Sequence, residues 1–340
     1  MKKNLSILIL ISSIFAMTFA GGSKETSISD SRAKEVVVYT YDSFIADWGP
    51  GPELKRLFEE KTGNTVTFIS VGDGAQILSK AVLEKKAPQA DVLLGIDNNQ
   101  IELAKKSNVM VNFKPMNADV IDSVLSLDKD WLMTPYDWSY FALIYDTQST
   151  VPAPSCLQDL TKSEYEKKIV LMDPRTSTPG LGFAAWTVAV FGDSYLDYWK
   201  ALQKNILTMA PNWDTGYGLF TSGEAPLVIS YTTSPAYHVE YDNTDRYKAL
   251  IFPEGHIMQI EGAGLVKNAP NAEGGKAFIE FLISTEAQNV LPLTQWMYPV
   301  NKDVKLPSCY DAAPMADTKL SVDNEKLNVA VTEITNTLAE

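Results

Sequence analysis

Residues 35–74 read EVVVYTYDSFIADWGPGPELKRLFEEKTGNTVTFISVGDG, and this stretch decides the fold. Residues 35–40 form a β-branched, apolar run that reads as a buried strand. Pro52 opens a helix in which Leu54, Leu57 and Phe58 recur at helical spacing, and Gly63 closes it. Residues 65–70 alternate as a second strand before the turn Gly72-Asp73-Gly74. Further along, Ile77, Leu78, Ala81 and Val82 make the next helix face, and residues 91–96 form a mostly apolar strand ending in Asp97-Asn98-Asn99. Strand and helix alternate at the spacing of an α/β protein with a mostly parallel sheet.

A second unit of the same kind begins after Pro152. Residues 169–172 are a strand ending in DPRTSTPG, residues 196–206 a helix, and residues 227–230 a strand ending in YTTSP. Residues 140–145 suit a crossing between the two units, and residues 250–260 suit the return. A helix over 278–290 follows, with Phe278, Phe281 and Leu282 on one face. The expected division is residues 35–142 plus 256–340 in the first lobe and 143–255 in the second.

The first twenty residues carry Lys2 and Lys3, then an uncharged, mostly apolar stretch, then Thr18-Phe19-Ala20 with small residues at the −3 and −1 positions. That run is too short for a comfortable membrane span and reads as a cleavable secretory signal peptide, with residues 21–34 as a flexible lead-in. The expected location is periplasmic. The net charge is −13 and becomes two units more negative once Lys2 and Lys3 leave, which argues against nucleic acid or anionic lipid as a partner. Cys156 and Cys309 are the two cysteines; an oxidising compartment permits their pairing without requiring it. With His238 and His256 the only histidines, no zinc site is expected, and no cofactor is implied.

In open α/β sheets ligands sit beyond the carboxyl ends of the strands. Those ends carry Tyr41-Asp42, Asp73-Gly74, Asp97-Asn98, Ser177-Thr178 and Tyr231-Thr232-Thr233-Ser234. If the two units face each other, these loops line one cleft.

The motifs YTYDSFIADWGPGP (39–52), DVLLGIDNN (91–99), DPRTSTPGLG (173–182), SYTTSPAYH (230–238) and WMYPV (296–300) resemble those of the thiamine-binding periplasmic proteins of ABC importers. The resemblance spans nearly all of the chain after the leader. It implies a type II periplasmic binding protein fold, two lobes closing by a hinge around thiamine, often also its mono- and pyrophosphate. It also implies delivery to a membrane permease; a monomer is expected. The resemblance marks Asp73, Gly74, Trp213 and the run Tyr231 to Ser234 as ligand contacts. A flat aminopyrimidine joined to a cationic thiazolium suits aromatic platforms, for which Trp48, Trp213, Tyr231, Tyr237 and Trp296 are candidates; Trp131, Trp186 and Trp199 read as core or lid. Ser177 and Thr178 precede a helix and serve either as N-caps or as phosphate contacts, and the resemblance implies the second. Asp42 and Asp97 complement a ligand's charge or cap their own turns. Residues 71–72 lack the acidic residue the resemblance leads one to expect before Asp73, and the chain beyond Val300 matches only loosely. Two alternatives stand beside this reading. One is a same-fold binder of ferric ion, polyamine or phosphonate. The other is a thiaminase-like transferase, which needs a nucleophilic Cys in the cleft.

Overall fold

The computed structural model describes residues 34–339; the expected leader and all but the last residue of the lead-in lie outside them. The quoted stretch folds as read. Strand β1 (Glu35–Thr40) leads to helix α1 (Gly51–Thr62), which has a proline in its first turn and ends on Gly63 in the left-handed conformation. Then come β2 (Thr65–Ser70), α2 (Ile77–Glu84), β3 (Val92–Asp97) and α3 (Ile101–Ser107). Both β2 and β3 pair with β1 in parallel.

A long strand, β4 (Thr134–Asp146), then leaves this half. The second half comprises β5 (Ile169–Met172), α4 (Thr178–Phe191), α5 (Tyr195–Leu202), β6 (Ile206–Ala210), α6 (Trp213–Thr221), β7 (Leu227–Tyr231), α7 (Ser234–Glu240) and β8 (Tyr247–Leu250). Strand β9 (His256–Val266) returns, followed by α8 (Ala272–Leu282) and the terminal α9 (Asn324–Ala339). The strand order is β2-β1-β3-β9-β4-β7-β5-β6. Residues 134–140 of β4 pair antiparallel with β9, whereas residues 141–146 pair with β7 and β8, so β4 and β9 are the strands that join the halves. His256 fastens this junction: its Nδ1 lies 2.8 Å from the Phe141 carbonyl, and its Nε2 accepts the Phe252 N–H at 2.8 Å.

Each half has its own hydrophobic core. In the first, Phe58 meets Phe278 and Phe281 with ring centroids 5.4 and 5.5 Å apart. In the second, Trp186 and Trp199 are fully buried with both indole N–H groups bonded, to Gly255 O and Thr187 Oγ1, which confirms their place in the core. Burying such a ring contributes about 1.5–3 kcal/mol. Trp131 is instead half-buried beneath the Lys114 ammonium.

Several elements differ from expectation. The helix read over 278–290 is α8, which ends at Leu282 before a separate short helix (Thr285–Gln288). The helix read over 196–206 is α5, which ends at Leu202, with β6 opening at Ile206. Helix α4 begins at Thr178, where Pro179 fits the first turn, and is buried on every side over its first three turns. Helix α9 lies against the second core rather than rejoining the first half: Leu327, Ala330, Ile334 and Thr337 form a stripe at helical spacing, the first three within that core. Its start is still tied to α3, through Glu102 N–H to Asn324 Oδ1 and the Lys106–Glu325 ion pair. The C-terminal segment thus spans both halves.

Candidate functional site

The floor of the cleft is built on the first half and the joining strands. Tyr41 follows β1 and lies over β3, where Gly95 has φ +107° and a Cβ would stand 2.4 Å from the Tyr41 ring. The Tyr41 hydroxyl donates to Glu261 Oε2 at 2.9 Å, and Tyr136 donates to the same oxygen at 2.7 Å. Gln259 lies two residues before Glu261 on β9, hence on the same face, and donates Nε2–H to Glu261 Oε1 at 2.9 Å. Gln295 donates to Tyr41 and, at 3.3 Å, to Glu261. Asp137 on β4 sits opposite Glu261 in the register and is fully buried. Burial pushes the Glu261 carboxyl up to about 7; burial and the adjacent Glu261 push Asp137 well above the usual carboxylate range.

The facing wall comes from the second half. Asp73 caps the turn after β2, accepting the Gly74 N–H at 2.6 Å, and reaches across the cleft. It accepts the Trp213 N–H at 3.0 Å and the Thr178 N–H at 3.5 Å, the first amides of α6 and α4. Two helix N-termini therefore converge on one carboxylate, as the helix dipole favours. The halves approach so closely that a Cβ on Gly74 would lie 2.5 Å from Thr178 Oγ1. Ser177 stands at the N-cap position of α4 but makes no side-chain cap bond, so the capping role is not the one it fills. Trp213 donates its indole N–H to Ser230 Oγ at 2.9 Å and stacks on Tyr217 at 4.9 Å, 18° from parallel. Tyr217 in turn is held by His238 Nε2 at 2.9 Å, with Asp242 at 2.7 Å from Nδ1. At the mouth stand Trp48, 6.3 Å from Trp213, and Trp296, edge-on to Tyr237 at 5.3 Å. Trp296 has φ +60°, a strained setting of about 1–3 kcal/mol for such a residue, which turns its ring into the cleft lining.

These groups enclose a cavity of about 330 Å³. Of the residues singled out from sequence, Tyr41, Trp48, Asp73, Gly74, Thr178, Trp213, Tyr231, Ser234, Tyr237 and Trp296 line it. Four do not. Asp42 accepts from Ser70 Oγ, Ser177 is buried beside Asp73, and Thr232 and Thr233 are buried with their hydroxyls 3.3 and 3.1 Å from Ser139 Oγ. Asp97 caps its own turn through the Asn99 N–H at 3.0 Å; burial pushes its carboxyl up to about 6. Sequence reasoning missed Gln259, Glu261, Gln295, Asp214 and Tyr217. Among the described residues the charged ones lining the cavity are Asp73, Asp214 and Glu261, and no Lys, Arg or His lines it. Both cysteines are free and neither lines it. Cys309 is buried, which pushes its thiol up to about 11. Among the described residues no cluster of three or more His, Cys, Asp or Glu could hold a metal ion, and no helix is long and apolar enough to cross a membrane.

Residues 53–318 match the family model described as bacterial extracellular solute-binding protein. The chain is 42% identical over 295 residues to the thiamine-binding periplasmic protein of Brucella abortus, covering 86% of this chain and 87% of that one. It is 39% identical over 289 residues to the thiamine-binding periplasmic protein of Escherichia coli, covering 85% and 88%. A solved periplasmic thiamin binding protein superposes with a TM-score of 0.83 at 35% identity, covering 90% of this chain and 96% of that one.

Proposed function

Because this chain belongs to the bacterial extracellular solute-binding proteins, and among them to the thiamine-binding periplasmic proteins, we propose that it captures thiamine in the cleft between its halves and hands it to the permease of an ABC importer. The observation that carries this reading is the cleft lining itself: aromatic rings on several sides, carboxyls as its charged groups, and, among the described residues, no basic side chain. A flat heterocyclic cation fits such a lining, gaining roughly 0.5–2 kcal/mol from each well-placed ring face. The same lining speaks against an anionic cargo held by side-chain cations and against a cleft thiol as nucleophile.

In this account Tyr41, Trp48, Trp213, Tyr231, Tyr237 and Trp296 form the platforms. Asp73 and Gly74 close the cleft against Thr178 and Trp213, and Ser234 holds Ser230, the acceptor of the Trp213 indole, with its Oγ 2.8 Å away. Ligand bridges the halves and favours the closed form that the permease reads. Thiamine monophosphate and pyrophosphate bind as well, their phosphates meeting first-turn amides of α4 and α6 other than the two that Asp73 holds. The protein works as a monomer, in the periplasm, after its leader is removed. It performs no chemistry on its cargo.

Mass spectrometry of small molecules released from natively purified protein tests this reading. Thiamine or its phosphates, at close to one per chain, is the expected result. Recovery of a different cargo, such as iron or a phosphonate, would overturn it.

A further inference from the structure

Glu261 is 4% exposed in the cleft floor and receives donated hydrogen bonds from Tyr136, Tyr41, Gln259 and Gln295. Asp137 faces it from β4, and among the described residues neither of its oxygens has a hydrogen-bond partner, Gln295 being the one donor whose influence reaches it. Two buried carboxyls side by side do not both ionise, and the charge settles where the donors are. Glu261 is therefore the anion and Asp137 keeps the proton. Among the described residues no cationic side chain acts on either group, and none lines the cleft. A buried anion without a counter-charge is expensive to hold, so its retention in a cleft wall points to a partner that arrives from outside. Gln259 supplies an independent second sign. Its side chain is fully buried in the same lining, its Nε2 is committed to Glu261, and its Oε1 accepts nothing. That oxygen is an acceptor fixed in place for an N–H that the protein does not provide.

We propose that Glu261 is the charge-selecting residue of the cleft, taking the cationic end of an amino-substituted heterocycle while Gln259 Oε1 accepts a second N–H, with Asp137 as the positioning residue that keeps the pair at a single negative charge. The inference rests on the reading of the cleft as a thiamine site and assigns the groups that make that site prefer a cation.

The consequence is a proton linkage. The titratable groups facing the pair are Tyr41 after β1, Asp97 at the end of β3, Tyr136 on β4, Tyr231 at the end of β7, Asp73 across the cleft, and Tyr310 behind Asp137. Burial raises all four tyrosines, so they stay neutral donors near neutral pH. Asp97 is tied to Asn99 and lies outside the lining. Burial raises Asp73 as well, but its carboxylate is engaged by amides. The free protein holds a proton on Glu261 below about pH 7, and a bound cation expels it. Affinity for a cationic ligand therefore falls by up to tenfold for each pH unit below that point and levels off above it.

The test is calorimetric titration of thiamine into the mature protein between about pH 6 and 8.5, repeated in buffers of different ionisation enthalpy, for the wild type, Glu261→Gln and Asp137→Asn. Wild type should release close to one proton per thiamine at the acid end and almost none at the alkaline end. Glu261→Gln should bind on the order of 30-fold or more weakly at alkaline pH, with a flat profile. Asp137→Asn should leave the sloping region close to that of the wild type, because it replaces an already neutral carboxyl with a neutral amide; a profile moved to lower pH would mean that Asp137 carries the charge and would overturn the assignment. The wild-type and Asp137→Asn profiles stand as tests even if Glu261→Gln fails to fold. A wild type that binds thiamine without pH slope or proton release overturns the proposal, as does a folded Glu261→Gln that keeps both. If folded wild type takes no thiamine at all, the cleft reading itself fails and this proposal falls with it.

Discussion

Asp73→Ala should weaken thiamine binding while sparing thiamine monophosphate. The Asp73 carboxylate crosses between the halves to the Trp213 N–H at 3.0 Å and, more weakly, to the Thr178 N–H at 3.5 Å. A hydrogen bond to a charged acceptor is worth about 1.5–3 kcal/mol, and the longer contact adds only a fraction of that. The closed form therefore loses about 2–3 kcal/mol, which is a rise of roughly 30–150-fold in Kd for a ligand captured by closure. Thiamine monophosphate brings its own anion. With the carboxylate gone, the freed amides at the starts of α4 and α6 are available to its phosphate, so it loses much less than thiamine does. Asp73→Asn keeps an acceptor without the charge and should fall between wild type and Asp73→Ala. Titration calorimetry with both ligands on the three proteins decides the matter. Thiamine affinity in Asp73→Ala within about threefold of wild type, or an equal loss for both ligands, refutes the reasoning.

Further outcomes follow from the same geometry. Trp213→Ala removes a platform stacked on Tyr217 and bonded to Ser230, and should cost tenfold or more in affinity, about 1.4 kcal/mol, read from the remaining tryptophan fluorescence. Gly74→Ala sets a methyl 2.5 Å from Thr178 Oγ1, so ligand should no longer raise the melting temperature although the free protein melts nearly as wild type does. His256 is held below its usual value by burial, so the unfolded chain gains a proton that the folded one resists as pH drops below about 6.5. Its contribution to stability is present above that pH and lost below it. His256→Asn should therefore destabilise less at about pH 5 than at pH 8, measured by denaturant midpoints. Cys156 is half-exposed, whereas Cys309 is buried with its thiol pushed up to about 11. A thiol reagent should label Cys156 in the native protein and Cys309 only after unfolding.

The alternation in residues 35–74 made the architecture legible, because each element there carries its own boundary signal, such as Pro52 and Gly63 around α1. The strand-end rule then found most of the cleft. It failed where polarity was mistaken for exposure: Thr232 and Thr233 lie in a polar turn, yet their hydroxyls are satisfied internally by Ser139. It also missed Gln259 and Glu261, which reach the cleft from within a strand that is buried along its whole length. The available signal was two polar residues, two positions apart, in a strand otherwise almost wholly apolar. The start of α4 was hidden because that helix is buried on all sides, so periodicity is silent and Pro179 is the sole local mark. For α9 the apolar stripe announces a buried face but cannot say which core covers it.

The central claim is that the cleft captures thiamine, and the most direct measurement is a calorimetric titration of thiamine into protein unfolded, stripped of ligand and refolded. The account predicts saturable binding at one thiamine per chain, weakened tenfold or more when the aromatic platform is removed in Trp213→Ala. Absence of heat and of fluorescence change at micromolar thiamine, with protein that melts cooperatively, contradicts it.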